Sequence, residues 1–158
     1  MSLIIDLADA IVADLKAADF GIVIPWERSY ADWDLELKDP ETTDPRGDVV
    51  PVMDGDVQLA NRGVLEIDAD IVIAIRKRFK ASDVDEVGRL YKDEIDSLVN
   101  VMQAVLVHLV KGRPINDAAW KADKSKQVRA WYDRDALKNK SQFTGMIRLP
   151  YRVLKSLA

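Results

Sequence analysis

The 158-residue chain contains no cysteine, which excludes disulfide scaffolds, thiolate metal sites and thiol nucleophiles. Its one histidine, His108, excludes a cluster or pair of imidazoles as metal ligands. There is no glycine-rich phosphate loop, no Gly-x-Ser-x-Gly elbow and no His-Glu-x-x-His pair. The longest apolar run, Val99 to Val110, is too short to cross a bilayer and is broken by Asn100, Gln103 and His108. Met1 to Ala17 is rich in Ile and Leu but carries Asp6, Asp9 and Asp14 without a basic start, so it does not read as a signal peptide and the expected compartment is the cytoplasm.

What remains is the composition of a soluble globular protein, 48% hydrophobic and 32% charged, with a length that suits one domain over residues 1–158. The net charge of −4 conceals a gradient. Residues 1–110 hold 11 basic and 23 acidic side chains, a balance of −12, whereas residues 111–158 hold 12 basic and 4 acidic, a balance of +8. A basic C-terminal region is read either as a solvated edge of the fold, or as a surface for nucleic acid or an acidic partner.

Leu3, Leu7, Ile11 and Leu15 recur every four residues behind Ser2, predicting an amphipathic helix over 3–17 that ends at Phe20-Gly21. Trp33, Leu35 and Leu37 alternate with Asp34, Glu36 and Lys38 as in a strand with one wet face. The stretch DPETTDPRGD, 39–48, reads as a loop, and Val49 to Val52 as a short strand that Pro51 assigns to an edge or bulge. Asp54-Gly55 reads as a turn, and Asn61-Arg62-Gly63 starts the clearest strand, 65–76. In that strand Leu65, Ile67, Ala69, Ile71, Ile73 and Ile75 face the core, while Asp70 belongs to the opposite, wet face. Ser82 caps a long helix over 83–110 whose second half is apolar on more than one face. A short strand is expected at 128–132 within the polar 116–140 region, and a last strand over 143–153, with Pro150 marking an edge or bulge. The order predicts an α+β domain in which two helices pack on one face of a largely antiparallel four- or five-stranded sheet.

Little in this pattern carries chemistry. His108 has no acid one helical turn away to orient it, and reads as a helix-end histidine favoured by the dipole. Asp32, Asp34 and Glu36, with Glu66, Asp68 and Asp70, would form a Mg²⁺ site beside Arg76 or Lys77 if their strands paired, but alternation already explains them as solvated faces. Arg129, Trp131, Tyr132 and Arg134 interleave charge and rings as a single-strand nucleic-acid surface does. From the residues alone, nothing specific points to an enzyme, and a small nucleic-acid-binding or nuclease-like protein using the acidic strands or the basic C-terminal segment is the reading that stays open. No cofactor, metal or catalytic residue is assigned.

The strings LIIDLADAIVADL, WERSYADWDLELKD, VVPV, RGVLEIDADIVIAIRKRF and FTGMIRLPYRVL, in this order, resemble the small tail-terminator and tail-completion proteins of long-tailed bacteriophages and prophages. The resemblance covers nearly the whole chain and rests on pattern, with no catalytic motif. It implies a non-enzymatic virion protein, assembled in the bacterial host cytoplasm, that forms a ring, commonly a hexamer, on the tail tube. Its partners would be copies of itself, the tube protein and the head-tail connector, with DNA passing through the lumen and no membrane. The interface candidates are Pro40, Thr42, Asp44 and Arg46 in the 39–48 loop, Arg62 at a turn, and Trp120, Arg129, Trp131 and Arg134 in the charged segment.

Overall fold

The computed structural model describes residues 3–30, 45–53, 57–79, 89, 91–111, 120–122 and 127–157. Helix α1 (Leu3–Ala17) forms where the four-residue repeat predicts it, and its stripe of Leu7, Ala8, Ile11 and Leu15 is buried. Asp6 in the first turn and Lys16 in the last complement the helix dipole.

Among the described residues seven strands form one sheet: β1 (Trp26–Arg28), β2 (Arg46–Val52), β3 (Val57–Asn61), β4 (Val64–Arg78), β5 (Trp120–Ala122), β6 (Arg129–Tyr132) and β7 (Gln142–Ser156). β4 and β7, 15 residues each, pair antiparallel along their whole length, from Val64 opposite Ser156 to Arg78 opposite Gln142. β2 and β3 lie end to end on the other edge of β4, and β5 and β6 end to end on the other edge of β7. The segments therefore make a five-stranded, mostly antiparallel sheet, in which β1 runs parallel to β2 at one side.

The register sorts the side chains into two faces. Ala69, Ile71, Ile73 and Ile75 of β4 and Ile147, Leu149, Tyr151 and Val153 of β7 join Val49 under α1 and α2 (Lys92–Lys111), the latter contributing Leu98, Val101, Met102, Val105 and Leu109. Both long helices thus pack on one face, as the periodicities require. The approach is close at Gly145, where a β-carbon would run into the Met102 sulfur. A third, short helix, α3 (Arg134–Lys140), was not expected. Asp133 caps it by accepting from the amides of Asp135 and Ala136, both at 3.0 Å, and it closes at Ser141 in the left-handed region, φ 53°.

Several expectations are corrected. Arg46, Gly47 and Asp48 belong to β2 and not to the loop before it, because Trp26 and Ile24 fill the space over Gly47 that any β-carbon would need. The turn expected at 54–55 lies outside the described residues; on either side of it Val52 pairs with Asp70 and Val57 with Ile67, so β2 and β3 follow the same edge of β4 in the same direction. β7 is interior rather than an edge. Pro150 is nevertheless accommodated, since it falls in the gap between β6, which ends its pairing at Arg148, and β5, which begins at Tyr151. Pro51 likewise lies beyond the three residues paired with β1. Asp70 is only 7% exposed, and Val72 and Ala74 beside it are buried, so the second face of β4 is not wet along its middle. The strand expected at 33–38 and the cap expected at Ser82 lie outside the described residues.

Ile73 sits at the centre of this packing, and Ile73→Ala should lower stability by about 2–5 kcal/mol through lost burial and a cavity. Gly47→Ala should also shift the urea midpoint downward, because the new methyl group meets the Trp26 ring. An unchanged midpoint for Gly47→Ala would show that Trp26 does not pack there.

Candidate functional site

The described interface candidates do not converge. Arg46 is exposed at the start of β2, 3.4 Å from Glu27, while Arg62 is exposed at the β3–β4 turn, at the opposite end of the sheet. Arg129, Trp131 and Arg134 lie on β6 and α3 along the outer edge, with the Arg129 guanidinium 5.0 Å from the centre of the Trp131 ring. The Trp120 backbone pairs with Val153, and its side chain is not among those described. Pro40, Thr42 and Asp44 lie outside the described residues, as do Asp32, Asp34 and Glu36.

The acids of β4 are held by arginines. Arg148 binds Asp70 (Nε to Oδ2 2.7 Å), and Arg152 lies 2.7 Å from Glu66 and 3.5 Å from Asp68. Further along the same face the Arg76 guanidinium donates to Asp48 at 2.6 Å, with both side chains almost wholly buried. A guanidinium on each carboxylate is the opposite of what a Mg²⁺ site needs, and no group of three potential ligands forms among the described residues.

His108 has an orienting acid that sequence proximity did not reveal. Its Nε2 lies 2.9 Å from Oδ2 of Asp14, on α1, and the edge of Phe20 packs against the imidazole with ring centres 5.6 Å apart. Asp14 is 94 positions away, and only the packing of α1 beside α2 joins them. Below them, the Tyr151 hydroxyl is buried without a hydrogen-bond partner among the described residues. Burial, reinforced by the Asp14 charge, pushes its ionisation well above the ordinary value of 10. His108 and Phe20 border an open groove of about 760 Å³, whose floor on α2 is Asn100, Gln103, Ala104 and Val107. Asp19 and Lys111 complete its rim, and no hydroxyl or thiol side chain lines it among the described residues.

Two uncovered apolar surfaces stand out. On α2, Val107 and Val110 are 50% and 51% exposed. At the Val64 end of the sheet, Leu59 is 69% exposed, and Leu154 and Leu157 are also exposed. Fifteen strand residues extend about 50 Å at about 3.3 Å each, whereas the 20 residues of α2 extend about 30 Å. The residues buried beneath the helices end at Ile67 and Val153, and the core-side face continues past them through Leu65 and Leu59 without a helix above it among the described residues. No described helix is long and apolar enough to cross a membrane.

Asp48→Ala should destabilise the fold by about 3–5 kcal/mol, since it strips the carboxylate from a buried guanidinium. Tyr151→Phe should be neutral or stabilising at pH 7, because it removes a buried hydroxyl that has no partner. The phenol stays protonated longer in the folded chain than in the unfolded one. Its contribution is therefore intact below pH 10 and is lost as the pH rises above 10. Chemical denaturation across that range should show the wild type losing more stability than Tyr151→Phe.

Neither the models of known protein families nor the curated proteins give a match to this chain.

Proposed function

We propose that the chain is a structural subunit that assembles with copies of itself into a ring, caps the tail tube of a long-tailed bacteriophage or prophage and joins it to the head connector. The observation that carries this reading is the pair of uncovered apolar surfaces, Leu59 and Leu157 at one end of the sheet, where no described helix lies, and Val107 and Val110 on the outer side of α2. Such surfaces suit protein contact. Because the two differ, they suit the head-to-tail contacts from which a ring closes. The absence of catalytic motifs from the sequence is in keeping with a non-enzymatic role. The nuclease-like alternative is disfavoured by the arginines on Glu66, Asp68 and Asp70, and the nucleic-acid-binding one by the Arg129 guanidinium that already occupies Trp131.

Negative-stain electron microscopy of the purified protein should show annular particles. In a phage carrying the gene, its deletion should give tails of uncontrolled length and heads left unjoined. Normal tails in the deletion would reject the terminator role.

A further inference from the structure

We infer that the projecting end of the sheet, formed by β3, the start of β4 and the end of β7, docks on the outer face of α2 of a second copy of this chain. The inference rests on the ring reading and names its contact. Leu59, Leu65 and Lys155 form one row across this end, on the face that elsewhere carries the core. A neighbour's helix laid over that row would continue the helical layer where no described helix of this chain lies.

The outer side of α2 has the composition for it. Between Asp96 and Lys111 the helix carries no formally charged side chain other than His108 if protonated, and the exposed positions are Ser97, Asn100, Gln103, Ala104, Val107 and Val110. An exposed helix face is ordinarily dense in charge. Asp93 and Asp96 close the N-terminal end of this stripe, and neither makes an ion pair among the described residues; the sheet end carries Lys155 and Arg62, also exposed. The spacings agree. Leu59 and Lys155 are two strand separations apart, about 10 Å, and Ala104 and Asp96 are eight helical residues apart, about 12 Å. With Leu59 over Ala104, a small residue that permits close approach, Lys155 reaches Asp96. The two halves lie on different parts of the chain, so the contact is head-to-tail and propagates until it closes.

The lack of cysteine makes a direct test available. A chain carrying both Leu59→Cys and Ala104→Cys, oxidised with copper-phenanthroline, should give a ladder of disulfide-linked trimers and larger species. Leu59→Cys paired with Lys138→Cys, on α3, should give none. Adding Lys155→Glu or Asp96→Lys to the first pair should cut the trimer and larger bands by about fivefold or more, and adding both should restore them. No ladder, or one that charge reversal leaves unchanged, would overturn the contact. A ladder that stops at the dimer would mean reciprocal exchange of the sheet ends, and would overturn it as a head-to-tail joint. Annular particles without a ladder would reject this contact and leave the ring reading standing; monomers by both methods would end both.

Discussion

The 15-residue antiparallel pairing of β4 with β7 is the constraint on which the rest of the molecule depends. Every other described strand except β1 attaches to one of these two, and β1 attaches through β2. Between them β4 and β7 supply most of the sheet side of the core. Antiparallel strands this far apart in sequence form late and slowly compared with local hairpins, because the closure of a long loop precedes any gain from contacts. The turn of β3 into β4 across Arg62 and Gly63 is a local connection, whereas α2 lies between β4 and β7 in sequence.

This pairing also explains the charge gradient. As a sequence, the chain has an acidic first part and a basic last part, which invites the idea of a basic surface for nucleic acid. In the fold, the acids Glu66, Asp68 and Asp70 of β4 face Arg148 and Arg152 of β7, so part of the gradient is consumed across one strand pair. Cross-strand pairs of opposite charge contribute to register as well as to stability. A slip of one residue would set Asp70 and Arg148 on opposite faces and move Ile71 and Ile73 out of the core. The buried Asp48–Arg76 pair holds β2 to β4 in a similar way, though within the acidic part of the chain.

Where one period governed a segment, the sequence was legible. The stripe from Leu7 to Leu15 marked α1 to the residue, and the alternation from Leu65 to Ile75 marked both the strand and its buried side. Elements that depend on partners were not legible. β1 is three residues long and is fixed by Trp26 stacking over Gly47, a contact no local pattern announces. α3 does have a local signal, since Asp133 followed by Asp135 is a capped start. Asp70 looked solvated because alternation describes a strand without saying whether its second face is covered. The Asp14–His108 pair and the groove beside Phe20 depend on how two helices pack, and the uncovered row of Leu59 and Leu65 on how far those helices reach.

That last dependence bears on the proposed contact between copies. A strand advances more than twice as far per residue as a helix, so a two-layer domain built on 15-residue strands needs helices of about 33 residues to cover them end to end. Among the described residues α2 has 20 and α1 has 15. An isolated monomer would relieve the mismatch by making the overhanging strand segments polar on both faces. Here the core-side face retains Leu65 and Leu59 to its end, and α2 in turn omits the charges that normally keep an outer helix face solvated. Each departure alone costs solubility. In the proposed contact the two departures offset each other, because the helix of one chain covers the strands of the next.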